Sequence, residues 1–227
     1  MISIIFPAHN EAEKIEEAVL RTAEEAKKLG LDFEIIIAED GSTDGTDEIA
    51  SRLAETYDFV KHLHSDERLG RGEALRRALK ESKGDVVIYM DADLSTDISH
   101  LKDLVDNIKD YDIVIGSRLL RESDAKRPLS REIPSRVYNF LVRFLLKSNI
   151  RDHQCGFKAL KRDAAEDLFF KVKDNHWFFD TELLILAQRK GYRIKEIPVK
   201  WRHEENSKVK LLKDSFYMLK NIIRLMG

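Results

Sequence analysis

Five short apolar runs, separated by amphipathic stretches, constrain this chain more than any other feature. The runs are Ile2–Phe6, Phe33–Ala38, Phe59–Leu63, Val86–Met90 and Asp112–Ile115, each of strand length and most of them continuously apolar. Between the first two, Ile15, Ala18, Val19, Ala23, Ala26 and Leu29 recur at helical spacing, with Asn10 placed to cap the helix and Gly30 to close it. Further helices are expected over Gly45–Tyr57, from Gly70-Arg71-Gly72 through Ala74, Leu75, Ala78 and Leu79 to Gly84, and over Ile98–Lys109. Strand–helix alternation across the first 118 residues predicts a mostly parallel sheet with helices on both faces. Ligands of such sheets bind beyond the carboxyl ends of the strands.

Three strand ends carry polar residues to that edge: Pro7-Ala8-His9-Asn10-Glu11, Glu39-Asp40-Gly41-Ser42 and Asp91-Ala92-Asp93. Alternate side chains of an extended segment share a face, so Asp91 and Asp93 point the same way. Their mutual repulsion is relieved by a hard divalent cation with oxygen ligands, which could in turn hold the diphosphate of a nucleotide. The plainer reading is two solvated acids at a strand end. Asp40 can accept a hydrogen bond from a base or a sugar hydroxyl, or simply sit in an Asp-Gly turn. Glu11 can meet a ribose or complement a helix N-terminus. Gly70-Arg71-Gly72 lacks the spacing of a dinucleotide fingerprint or P-loop. Arg118, Arg121, Lys126, Arg127, Arg131 and Arg136 gather after the fifth run, and Arg202 follows a later strand. Arginines in such places suit phosphate recognition.

The second half is less regular. Pro128–Pro134 reads as a loop, Val137–Leu146 as a helix and Gln154–Lys158 as a turn into a short strand. A helix begins at Phe178, Arg193–Val199 is a last strand, and Leu211–Met226 forms an amphipathic tail flanked by Lys213, Lys220 and Arg224. At 227 residues and 43% hydrophobic the chain fills one large domain, with no linker-like or repetitive stretch. A net charge of −2 gives no basic field for nucleic acid. The single Cys155 cannot close an internal disulfide, which suits a reducing compartment, and it has no base partner that would make it a nucleophile. His9, His153, His176 and His203 show no metal-ligand spacing. No secretory leader and no membrane-spanning run of about 18 apolar residues is expected.

The motifs together resemble the family 2, inverting GT-A glycosyltransferases. The resemblance rests on the three strand ends above with Thr43-Asp44-Gly45-Thr46 and Leu94. More narrowly the chain resembles the polyprenyl-phosphate or dolichyl-phosphate hexose synthases, through Gly116-Ser117-Arg118, Arg151–Lys158, Phe179–Glu182 and Glu196–Arg202. The resemblance implies one GT-A catalytic domain over residues 1–210, with a nucleotide-binding half (1–118) and an acceptor half (119–210), followed by a C-terminal amphipathic helix (211–227). It implies that Pro7, Ala8, Glu11 and Asp40 hold the nucleoside of a nucleotide sugar donor, with Asp91 helping to hold the donor. Asp93, with Asp91, would ligate Mg²⁺ or Mn²⁺. Arg118, Arg131, Ser135 and Arg202 would surround the phosphate of a polyprenyl or dolichyl acceptor, and Gln154 and Asp180 would line the sugar pocket; Asp91, Asp93, Arg118 and Asp180 form the catalytic set.

There are departures: His9 stands where Tyr is common, Glu39 where Asp is, and Ser95 where mannose-transferring relatives often carry Gln. The Gln-Cys-Gly-Phe-Lys run favours UDP-glucose over GDP-mannose. The expected place is the cytoplasm, at the cytoplasmic face of a membrane whose surface the tail could touch. The rivals are a nucleotidyltransferase, which would bind a sugar phosphate, and a non-catalytic nucleotide-sugar-binding module.

Overall fold

The computed structural model describes residues 1–203 and 211–226, with the side chains of 211–215 left aside. The expected boundary at Lys210 and the side chains of Leu211, Leu212 and Lys213 therefore lie outside the described residues. The chain runs β1 (Ile2–Ala8), α1 (Ile15–Lys28), β2 (Phe33–Glu39), α2 (Thr46–Thr56), β3 (Val60–Leu63), α3 (Arg71–Glu81), β4 (Val86–Met90), α4 (Leu101–Asn107) and β5 (Ile113–Ser117). It continues through β6 (Asp124–Lys126), α5 (Leu129–Leu145), β7 (Phe157–Lys161), α6 (Arg162–Phe169), α7 (Phe179–Arg189), β8 (Ile194–Pro198), β9 (Lys200–Arg202) and α8 (Leu211–Met226). Seven strands form one sheet in the order β3-β2-β1-β4-β7-β5-β8, parallel except for β7; β6 and β9 pair separately.

The continuously apolar strands are explained by burial on both faces. Ile4, Phe6, Ile35, Ile37 and Ile88 pack on one side with α1 and α4, and Ile5, Ile36, Val87 and Tyr89 on the other with α3, α6 and α7. A third, smaller core joins Val142 and Leu146 to Phe178, Ile185, Met218 and Ile222, so that α8 docks against α5 and α7. Gly30, at φ +64°, closes α1 as the sequence suggests.

Three expectations are corrected. Asn10 does not cap α1, which begins five residues later; it sits in the left-handed region (φ +56°), and its Oδ1 accepts from the Thr43 amide, tying the β1 rim to the β2 rim. Gly84 does not end α3, whose cap is Ser82. Residues 128–134 are not a loop: Pro128 precedes α5, and Pro134 lies within its second turn, where it forfeits one amide donor without ending the helix. β7 runs antiparallel between β4 and β5, a reversal that an apolar run cannot reveal. The helix α6 and the small β6–β9 sheet carry no distinct sequence signal.

Candidate active site

A cavity of about 1050 Å³ opens at the carboxyl edge of β1, β2 and β4. Pro7, Ala8, Glu11, Asp40, Asp91, Asp93, Arg118, Arg131, Ser135, Gln154 and Asp180 all line it. The sequence-chosen residues are therefore gathered on one surface, with one exception. Arg202 does not line the cavity; its guanidinium turns to the backbone and carboxylate of Asp124 (2.8 Å each) across the small sheet. Its place after a strand end suggested otherwise, because sequence does not show which way the strand's last residue faces.

On one wall a chain of paired charges, buried at Lys158 and Asp180, fixes the carboxylates. Arg71, the first residue of α3, places Nη1 2.7 Å from Asp91 Oδ1 and Nε 3.3 Å from Asp180 Oδ2. Lys158 of β7, fully buried, reaches Asp180 Oδ1 at 2.7 Å, and the Tyr89 hydroxyl donates to the same oxygen at 2.8 Å. Both cations lie over the Tyr89 ring. Two cations and two anions thus balance where an isolated charge would be strongly disfavoured. Burial works against ionisation of Asp180, but Lys158 and Arg71 outweigh it and hold its carboxyl below the usual range. Arg71 and Lys158 were not singled out by the sequence: a lone cation in a motif does not disclose its partners.

Local backbone sets this up. Asp40 accepts from the Leu69 and Gly70 amides (2.7 and 2.8 Å), so both its oxygens hold the loop that delivers Arg71 while its side chain still borders the cavity. The lack of a side chain at Gly156 makes room for Asp91: a Cβ there would stand 2.0 Å from Asp91 Oδ2 and push the carboxylate aside. Asp93 Oδ1 accepts the Ser95 amide at 2.9 Å, an Asx-type turn that aims the second acid beside the first.

Another part of the lining is different. Arg118 forms a two-pronged pair with Asp152 (2.7 and 2.8 Å) and lies over the Trp201 ring. Asp152 is buried, yet Arg118 keeps its carboxyl far below the usual range. Arg127 is almost buried, and among the described residues its Nε completes no hydrogen bond, with the Glu132 carboxylate 4.0 Å away. Burial and the neighbouring Arg118 depress its pKa, the mark of a poorly compensated cation. Ser135 Oγ, also shielded, has no hydrogen-bond partner among the described residues. Beyond these groups the cavity is walled by Ile133, Val137 and Leu141 of α5 and Met218, Leu219 and Ile222 of α8. Burial pushes the Cys155 thiol up to about 11, which leaves it inert near neutral pH, in line with its having no assigned role.

A mostly parallel sheet carrying a paired-carboxylate rim and an arginine-lined cavity at its carboxyl edge is the architecture of the GT-A nucleotide-sugar transferases. Residues 3–169 match the family model "Glycosyl transferase family 2", and the chain belongs to that family; it is a glycosyltransferase. It is 49% identical to Glycosyltransferase AglD of Haloferax volcanii over 227 residues, covering 98% of this chain but only 36% of that protein. It is 33% identical to the Dolichyl-phosphate beta-glucosyltransferase of Homo sapiens over 224 residues, covering 92% of this chain and 69% of that one. Among solved structures it resembles glucosyl-3-phosphoglycerate synthase from Mycobacterium tuberculosis in complex with Mn²⁺, UDP and glucosyl-3-phosphoglycerate, with a TM-score of 0.69 at 22% identity over 100% of this chain and 78% of that one. At that identity the likeness is one of fold. Among the described residues no helix is long and apolar enough to cross a membrane.

Proposed function

We propose that the chain transfers a hexose, UDP-glucose being the favoured donor, to a polyprenyl or dolichyl phosphate with inversion at the anomeric carbon. The observation that carries this reading is the cavity itself. Its lining joins three kinds of surface: the carboxylates Asp40, Asp91 and Asp93, the anion-binding groups Arg118, Arg127, Arg131 and Ser135, and the apolar side chains of α5 and α8. An acceptor that is both anionic and greasy suits that combination of surfaces; a small hydrophilic phosphate would have no use for the last. The Dolichyl-phosphate beta-glucosyltransferase relatives support both the sugar and the lipid.

The donor set fits a hard divalent cation: Asp93, with Asp91, offers oxygen ligands on one rim, and a diphosphate and water would complete the shell. A bound Mg²⁺ or Mn²⁺ supplies compensation for charge developing on the leaving diphosphate. The protein's own residues do the rest. Because Arg71 already neutralises Asp91, the pair can face an anionic donor without a large net repulsion. Arg118, Arg127, Arg131 and Ser135 hold the acceptor phosphate so that one oxygen faces the anomeric carbon. That oxygen bonds to carbon as the carbon–diphosphate bond breaks. A phosphate monoester is already ionised near neutral pH (second pKa about 6), so no general base is needed. Residues 1–210 act as the catalytic unit, and the enzyme works peripherally at a membrane surface, with α8 and α5 on the lipid side.

Incubating the chain with UDP-glucose or GDP-mannose, Mg²⁺ or Mn²⁺ and a short polyprenyl phosphate tests this. Glucosylated lipid from UDP-glucose is expected. Nucleotide-sugar hydrolysis with no lipid product from any donor would rule out the acceptor assignment, and lipid labelled only from GDP-mannose would reverse the choice of sugar.

A further inference from the structure

Away from the Asp91–Asp93 rim, four side chains with ligand chemistry converge where β2, β3 and α2 meet. Glu39 ends β2, and Asp47 lies in the first turn of α2. His62 lies on β3 and His64 directly follows it; two residues apart in extended chain, they share a face. One ligand atom from each residue lies within 4.8 Å of all the others. His64 Nδ1 is 2.7 Å from Glu39 Oε2 and 2.8 Å from Asp47 Oδ1, and His62 Nε2 is 3.1 Å from Asp47 Oδ1. Those separations approach the roughly 3.3 Å edge of a tetrahedron with ligands about 2.0 Å from its centre.

Hydrogen bonding alone does not account for the cluster. Asp47 Oδ1 and His62 Nε2 are both closed off from solvent, and neither completes a hydrogen bond among the described residues. Such atoms are costly to bury unless a cation serves both. The ligands are also supported from behind. His64 Nε2 lies 3.2 Å from Asp66 Oδ1, the carboxylate–histidine arrangement that orients a metal-bound imidazole, and the other oxygen of Glu39 accepts the Ser42 amide. We propose that Glu39, Asp47, His62 and His64 form a structural site for a Zn²⁺-class transition metal, separate from the catalytic rim. Two imidazoles and two carboxylates suit zinc better than the all-oxygen shells of magnesium or calcium. Bound there, the ion pins the start of the 65–70 loop to the end of β2. Asp40, next to Glu39, holds the other end of that loop, which leads into Arg71 and so to Asp91. The site is a positioning device for the donor wall and has no ligand in common with Asp91 and Asp93.

The full chain, dialysed against EDTA and titrated with Zn²⁺, tests this by bound-metal analysis and thermal melting, with Co²⁺ as a spectroscopic substitute. Expected are one tightly held zinc per chain, a raised Tm and the visible absorption of tetrahedral Co²⁺, all kept by Asp93→Ala and lost by the pair His62→Gln and His64→Gln. Asp66→Asn alters only an exposed carboxylate and should fold normally, yet weaken zinc by at least about tenfold. Equal zinc binding by the wild type, the double variant and Asp66→Asn overturns the proposal. Loss of the zinc in Asp93→Ala does so as well, since it would move the ion to the donor rim. Neither outcome depends on which sugar or acceptor the enzyme uses.

Discussion

Around Asp91 the cavity wall is polar and cross-linked, whereas along α5 it is apolar and open. Arg71, Lys158, Asp91 and Asp180 hold one another through β4, β7, α3 and α7. On α5, Leu129, Ile133, Val137, Phe140 and Phe144 form a stripe at helical spacing that faces solvent, with Phe144 72% exposed. Phe216 and Ile223 extend the same kind of surface on α8. A patch of this kind marks an interaction surface. On the proposed function, the contrast teaches a division of labour: the donor side would be pre-organised for one charge pattern, while the acceptor side would offer an arginine cluster and a greasy slope along which a lipid can lie.

If that division holds, the largest effects come from the donor wall. Asp93→Ala should reduce transfer at least about a thousandfold with an unchanged melting curve; substantial metal-dependent transfer would break the comparison at its root. Gly156→Ala should cost on the order of a hundredfold in turnover, because the new methyl collides with Asp91 and displaces it; steady-state kinetics with a water-soluble acceptor analogue would isolate this from lipid binding. Asp180→Asn leaves the buried Lys158 without its carboxylate and Arg71 with Asp91 alone, and should destabilise the fold by about 3–5 kcal/mol in denaturant melts.

Acid should loosen the acceptor side first. His153 is fully buried, donates its Nδ1–H to Asn139 Oδ1 and shares a hydrogen bond between Nε2 and Ser148 Oγ, and its pKa is driven down to about 4 by burial. The unfolded imidazole, near 6.5, takes up its proton first, so stability is complete above about pH 6.5 and is lost as pH falls towards 4, by about 2–3 kcal/mol. Thermal melts across that range should show a shallower slope for His153→Gln; an identical slope would remove His153 as the cause. The smallest effect on stability is expected for Phe140→Ser with Phe144→Ser, within about 0.5 kcal/mol of wild type. Vesicle flotation should nonetheless fall, and unchanged flotation would mean that the stripe does not meet the bilayer.

Strand positions were readable because burial on both faces demands continuous apolar runs, and the rim was readable because strands of a parallel sheet end together. Partnerships were less accessible. Arg118 and Arg202 look alike in sequence, yet one is held at the cavity by Asp152 and the other is drawn away by Asp124. Pro134 reads as a breaker, but a helix can lose one amide bond when its flanks are anchored, as α5 is by Tyr138 on Thr181 and Asn139 on His153. His62 and His64 went unremarked because the other two members of their cluster come from β2 and α2, which only tertiary structure brings beside them.

The reversed strand β7 imposes an order on biosynthesis. β4 and β5 are each paired to β7 and not to each other. A nascent chain that has emerged only as far as Ser117 therefore has both strands in hand and nothing to join them. Until Lys161 leaves the ribosome, the β4 edge stays open to strands of other molecules. Recombinant yield should depend on how fast that gap is crossed.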